Sequence, residues 1–258
     1  VISHFDKKFE LPPISDLRAK FTKKTKAILL CNPSNPTGYL YSKKEINQLV
    51  ELAVEKDIFI IVDEVYREFI YTKSKHYSIL QNEKATQNAI MIDSVSKRYS
   101  LCGARVGCMI SKNESFISTA TKFAHLRLSP PTIALMASEA AITTNNSYLK
   151  KVKKEYKIRR KVIIKALEKI KDVEVSHPMG AFYCIVKLPV VSAEDFSKFL
   201  LTKFHDNGQT VMLAPANGFY SSPKLGKDQV RLAFVLESKK LKRAAEIIEK
   251  ALFIYNNC

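Results

Sequence analysis

Ala89-Ile90-Met91-Ile92-Asp93-Ser94-Val95-Ser96-Lys97 is the stretch whose reading decides the fold. Four apolar residues run directly into polar ones and end on a lysine, and Arg105 follows eight residues later. Two earlier stretches have the same form. Ala27-Ile28-Leu29-Leu30-Cys31 opens onto residues 32–35, and Ile58-Phe59-Ile60-Ile61-Val62 opens onto Asp63 and Tyr66. Continuous apolar runs of this length, rich in β-branched residues and separated by a helical pattern, predict strands buried on both faces of a parallel sheet. In such sheets ligands bind outside the carboxyl ends of the strands. The spacing therefore predicts one crevice shared by Asn35, Asp63, Tyr66, Ser94, Lys97 and Arg105. One polar strand end means little, because every buried strand must end somewhere polar. Three that deliver an amide, a carboxylate, a phenol, an amine and a guanidinium together argue for a site.

The first clear helix falls between the first two runs. It is predicted over 42–56, where Ser42 and Glu45 spell a capping box and Ile46, Leu49, Val50 and Ala53 form one apolar face. Upstream, residues 1–26 read as opening inside a strand, followed by a connection at Leu11-Pro12-Pro13 and a short helix at about 15–21. Downstream, a strand is expected over 104–110, with helices over 114–126 and 132–143 on either side of Pro130-Pro131. A long lysine-rich helix over 148–170 marks a shift in composition. Strands over 173–175, 181–188, 210–213 and 230–236, with helices over 193–205 and 238–253, then describe a second unit. The expected class is α/β: a mainly parallel sheet in residues 1–147 and a smaller α/β domain in 148–258.

The spelling of these segments carries a family likeness. Asn32-Pro33-Ser34-Asn35-Pro36-Thr37-Gly38, Asp63-Glu64-Val65-Tyr66, Ser94-Val95-Ser96-Lys97 and Arg105-Val106-Gly107 closely resemble the large domain of class I/II aminotransferases, pyridoxal-phosphate enzymes of fold type I. Pro178-Met179-Gly180-Ala181-Phe182-Tyr183 and Arg231 look like landmarks of the family's small domain. The resemblance implies that Lys97 holds the cofactor aldehyde as a Schiff base and later moves the substrate proton, while Asp63 keeps the pyridine nitrogen protonated. It implies that Asn35 and Tyr66 hydrogen-bond the ring's phenolic oxygen and that Ser94, Ser96 and Arg105 hold the phosphate. Arg231 then clamps the substrate's α-carboxylate, with Asn35 nearby. Blander readings stand beside these: Lys97 as a solvated lysine, Asp63 as the cap of the following turn, Arg105 as a structural ion-pair partner, Tyr66 as packing, Arg231 as an exposed residue of an edge strand, and only one of the two serines facing the phosphate.

The implied activity is amino-group exchange between an amino acid, aspartate by default, and a 2-oxo acid, in a homodimer. The alternatives are a pyridoxal-binding sensor without turnover and a C–S lyase on the same fold. Relatives carry a further N-terminal section, so the resemblance places the start of this chain inside the large domain and leaves residues 1–258 alone catalytically poor.

Composition excludes several other classes. The chain has 258 residues, 46% of them hydrophobic, which is enough for a sizeable core. No run reaches the roughly 18 apolar residues of a membrane helix, and Val-Ile-Ser-His-Phe-Asp-Lys-Lys lacks a signal-peptide layout, so a cytoplasmic protein is expected. The five cysteines are scattered with no C-x-x-C pair, and His125, His177 and His205 lack metal-ligand spacing, so neither a disulfide framework nor a metal site is expected. The net charge of +17 is what nucleic-acid binders show. Its lysines are spread through helical patterns without interleaved aromatics, which reads instead as solvated helix faces.

Overall fold

The computed structural model describes residues 5–257, so the part of the expected opening strand that falls on 1–4 lies outside the described residues. Residues 5–7 form a single 3-10 turn rather than a strand. The elements that follow are α1 (Ile14–Arg18), β1 (Ala27–Cys31), α2 (Lys43–Glu55), β2 (Phe59–Asp63), β3 (Ala89–Ser94), α3 (Val95–Arg98), β4 (Gly107–Ile110), α4 (Glu114–Arg127) and α5 (Thr132–Ile142). They continue with α6 (Asn146–Leu167), β5 (Glu174–Val175), β6 (Tyr183–Lys187), α7 (Ala193–Thr202), β7 (Ala214–Pro215), β8 (Gln229–Ala233) and α8 (Ser238–Asn257).

Two four-stranded sheets organise the chain. The first has the order β1-β2-β3-β4, with β1, β2 and β3 parallel and β4 antiparallel to β3. Helix α2 is the crossover between β1 and β2, and it starts where the sequence says it should. Ser42 Oγ accepts from the Glu45 N–H, and the Glu45 carboxylate accepts from the Ser42 N–H, so two otherwise orphaned donors are satisfied. Its face of Ile46, Leu49, Val50, Leu52 and Ala53 is buried over the sheet with Leu30, Ile60, Val62 and Met91. Each large side chain removed from water in this way contributes roughly 1.5–3 kcal/mol. The second sheet is antiparallel throughout, in the order β5-β6-β8-β7. Its core, built with α6, α7 and α8, also takes in Val65, Tyr66, Phe69 and Tyr71 from the segment after β2.

Several expectations are corrected. Burial on both faces holds for β3 but not for β1, where Leu29 is 76% exposed, nor fully for β2, whose residues alternate between buried and half-buried; the four residues of β4 are all exposed. Helix α2 covers one face of the sheet, and nothing among the described residues seals Leu29 on the other. Strand β4 begins at Gly107 rather than near 104, because residues 102–104 form a 3-10 turn and Arg105 adopts a left-handed conformation with φ 56°. The strand expected over 210–213 is replaced by Ala214–Pro215, at the sheet edge where proline does no harm to the ladder. Strand β8 lies inside its sheet, so Arg231 does not sit on an edge strand.

Lys150, Lys151, Lys153 and Lys154 are exposed on α6, as solvated lysines should be. Among the described residues no helix is long and apolar enough to cross a membrane, and no cluster of three His, Cys, Asp or Glu is placed to hold a metal ion.

The two sheets are joined just behind the crevice. Ile70 forms a β-bridge with Gly180; the Tyr71 N–H donates to Met179 O and the Ala181 N–H to Phe69 O, both at 2.9 Å. From the other side, Gly38 O accepts from the N–H groups of Met179 and Gly180, both at 2.8 Å. Gly38 has φ +70°, and a Cβ there would lie 2.1 Å from Pro178 Cβ and 2.9 Å from Gly180 O. Gly38→Ala is expected to destabilise the protein by about 2–4 kcal/mol, the left-handed penalty plus the displacement of packed backbone. Gly208→Ala is the control, since its φ of +72° is alike but no atom lies within 4 Å of the added Cβ. Urea unfolding of both variants checks the claim, and equal losses would show that the close approach at Gly38 costs nothing.

Candidate active site

Parallel pairing sets the site. Cys31 is in register with Asp63, and Asp63 with Ile92, so the three strands end side by side and their following residues emerge at one edge. The Asn32 N–H donates to Asp63 O and the Glu64 N–H to Ile92 O, both at 2.9 Å, which extends the ladders one step into the loops.

Asp63 sits at the end of β2 with its side chain half-buried. Burial pushes its carboxyl above the usual carboxylate range, against the N–H of Val65 at 3.1 Å, while Asp93 adds to the rise and the nearby Lys97 ammonium opposes it. One oxygen therefore does cap the following turn, as the blander sequence reading held, within the electrostatic reach of Lys97. Lys97 is half-buried on the single turn α3, and Ser94 caps that turn: its Oγ accepts from the Ser96 N–H at 2.9 Å and lies 2.7 Å from Ser96 Oγ. Ser94, Ser96 and Arg105 line one cleft of about 700 Å³. Arg127, at the end of α4, lines the same cleft and was not singled out by the sequence.

Tyr66 is buried, and its hydroxyl lies 3.1 Å from the hydroxyl of Tyr183. Burial raises its pKa, and the Tyr183 hydrogen bond pushes the same way. Tyr66 therefore packs in the core, and its hydroxyl meets that of a second tyrosine. Arg231 reaches across from β8, its Nη1 donating to Asn35 Oδ1 at 3.1 Å. The predicted residues thus fall into linked groups: Asp63 with Lys97, Ser94 and Ser96 with Arg105, Asn35 with Arg231, and Tyr66 with Tyr183. Tyr183 is the functional candidate that sequence reasoning passed over, although the stretch containing it was noted. The period-2 pattern of β6 puts Tyr183 on the same face as Ile185, which pairs with Arg231. That pattern was visible; the strand register was not.

Behind the site lies a buried polar layer. Asp93 is flanked by Arg67 Nη1 at 2.6 Å and Arg98 Nη2 at 3.1 Å, and fully buried Glu64 accepts from the Ile79 N–H at 2.8 Å and from Ser78 Oγ at 3.0 Å. His76 Nε2 lies 3.2 Å from Asn32 O and 3.7 Å from Glu64. Proximity to Glu64 would favour an imidazolium, yet burial dominates and pushes His76 down from 6.5 to about 4. An imidazole held neutral when folded takes its proton more readily when unfolded, so stability is lost as pH falls from 6.5 towards 4. Between pH 7 and 5 this contributes a loss of about 2 kcal/mol. Burial also raises the Glu64 carboxyl, which acts in the opposite direction as pH falls through its folded value. Urea unfolding at the two pH values, with His76→Gln alongside, isolates the histidine. An unchanged pH dependence in that variant would refute the assignment.

The profile of the family described as Aminotransferase class I and II matches residues 11–248. The chain belongs to that family. It is 30% identical to an aspartate aminotransferase of Pyrococcus horikoshii over 246 residues, 94% of this chain and 60% of that protein. It is 32% identical to an aspartate aminotransferase of Sulfurisphaera tokodaii over 246 residues, 92% of this chain and 59% of that protein. Among solved structures, an aromatic aminotransferase of Pyrococcus horikoshii superposes with a TM-score of 0.86 at 27% identity, covering 98% of this chain and 66% of that one. The aspartate aminotransferase of Thermotoga maritima gives a TM-score of 0.83 at 29% identity, covering 97% and 62%. The chain thus spans about three-fifths of the length of the curated relatives it matches.

Proposed function

We propose that this protein is a pyridoxal-phosphate-dependent aminotransferase that exchanges an amino group between an L-amino acid and a 2-oxo acid, with aspartate and 2-oxoglutarate as the default pair. The observation that carries the reading is the pairing of a half-buried lysine with a half-buried carboxylate at the ends of adjacent parallel strands, Lys97 beside Asp63. The relatives named above are all aminotransferases, which favours this over a sensor or a lyase.

The residues present suit that cofactor. A carboxylate whose burial disfavours its anion is stabilised by an adjacent cation, and a protonated pyridine nitrogen is such a cation. Two serine hydroxyls and a guanidinium around one cleft match a phosphate. When bound, pyridoxal phosphate supplies an aldehyde and a ring that takes up electron density from the substrate's α-carbon. Lys97 would hold the cofactor through its aldehyde carbon, and once displaced by substrate its Nζ would be free to move the proton between the substrate's α-carbon and that same cofactor carbon, in one direction with the amino acid and in the other with the 2-oxo acid. Asp63 would hold the charge on the ring nitrogen, Asn35 and Tyr66 would donate to the phenolic oxygen, and Ser94, Ser96 and Arg105 would bind the phosphate. Arg231 grips the α-carboxylate with its fork, Asn35 standing beside it.

The division into a cofactor unit over 1–147 and a smaller unit over 148–258, a cytoplasmic location and a homodimeric working form are parts of the same proposal. The exposed Leu29, Phe123 and Leu126 support association with a second copy. Sedimentation checks the dimer, and a monomer at all concentrations refutes it. Spectral titration with candidate amino acids tests the reaction. Transamination converts the bound aldehyde to the amine form and releases a 2-oxo acid; release of ammonia marks a lyase, and absence of both products marks a sensor.

A further inference from the structure

The Arg231 guanidinium is held in a way that the reading above does not use. Its Cζ lies 4.9 Å from the ring centroid of Tyr183 and 5.2 Å from that of Phe219, while one nitrogen donates to Asn35. Among the described residues it has two rings and an amide oxygen as partners and no carboxylate in ion-pair contact. That difference matters chemically. An aromatic face attracts a cation without neutralising it and without occupying its in-plane N–H donors. An arginine oriented by rings therefore keeps its charge and its fork for an incoming carboxylate, whereas one paired with Asp or Glu has already spent both.

The two rings are not equivalent. Tyr183 is buried, packs at 5.0 Å against Phe182 and edge-on at 5.7 Å against Tyr66, and its hydroxyl is tied to that of Tyr66. Phe219 is 46% exposed and closes the single 3-10 turn Asn217–Phe219. One ring is thus locked to the residue assigned to the cofactor's phenolic oxygen, and the other stands at the solvent side of the same guanidinium.

We propose that Tyr183 and Phe219 are positioning residues that orient Arg231 for the substrate carboxylate, Tyr183 as a fixed platform referenced to Tyr66 and Phe219 as the outer wall of the carboxylate site. The proposal rests on the reading of Arg231 as the carboxylate clamp.

The test is calorimetric titration of the chain with succinate, a dicarboxylate that carries no amino group to transfer, at low ionic strength and with the fold checked by circular dichroism. Arg231→Leu abolishes binding. Phe219→Leu and Tyr183→Leu each weaken it by about tenfold, the scale of one partly desolvated cation–ring contact. Phe219→Trp and Tyr183→Phe, which keep an aromatic face, bind within about twofold of the unsubstituted chain, a rescue that a merely space-filling role would not require of the ring chemistry. If Tyr183→Leu fails to fold, exposed Phe219 carries the test alone. Unweakened binding in Phe219→Leu, with Arg231→Leu still abolishing it, overturns the aromatic proposal and leaves the clamp standing. Full binding in Arg231→Leu, or none by the unsubstituted chain, overturns the clamp and the proposal with it.

Discussion

Lys97→Ala is expected to abolish transamination, with a loss of at least about 10⁴-fold, because in the proposed function one amine both attaches the cofactor and moves the substrate proton. Neither role has a substitute nearby. Arg98, the adjacent cation, is committed to Asp93 and Glu68. The loss should come without unfolding, since Lys97 is half-buried on a turn whose cap is made by Ser94 and whose buried residue is Val95. Borohydride reduction of the cofactor-loaded protein followed by peptide mapping gives an independent check. A pyridoxyl label on a different lysine would sink the assignment.

Asp63→Asn carries the second large effect. The amide is nearly isosteric and can still accept from the Val65 N–H, so the turn after β2 survives. What disappears, in the proposed function, is the negative charge that Asp63 sets beside the ring nitrogen, and with it the stabilisation of charge that builds up only during reaction. Removing a preorganised partner of that kind costs about 10³-fold in turnover. Because the effect is confined to the chemical step, the substrate KM should change far less than kcat. Single-turnover kinetics decide it, and near-normal turnover would mean that Asp63 does not face the ring.

Much of this arrangement can be read from the chain because its local signals agree with its global structure. The runs at 27–31, 58–62 and 89–92 become three adjacent parallel strands, and the Ser42–Glu45 box starts α2 where expected. Family spelling then points to the site residues, which the strand ends bring into linked groups. The unread remainder depends on distance and context. The left-handed Arg105 delays β4, and nothing in its side chain announces that backbone state. The edge strand at Ala214–Pro215 is two residues long and includes a proline, so it has neither periodicity nor propensity to betray it. Tyr183 escapes for another reason: its partners Tyr66 and Arg231 lie 117 and 48 positions away in sequence, and only the folded register makes the three neighbours.

The mutual seating of Gly38 and Gly180 bears on how such a protein can be recombined. The loop bearing Asn35 and the strand approach bearing Tyr183 meet through backbone hydrogen bonds, and a Cβ on either glycine would strike a proline of the other half, Pro178 or Pro33, as well as a backbone oxygen, so each half is shaped to the other. A chimera that takes residues 1–147 from one homologue and the remainder from another splits that seam, drawing Gly38 and the 69–71 segment from one parent and Gly180 from the other. Crossover points on either side of it are tolerated only when both glycines and the 69–71 segment travel with compatible partners. The halves of this chain are therefore not interchangeable cassettes, and the unit of exchange is the interlocked pair.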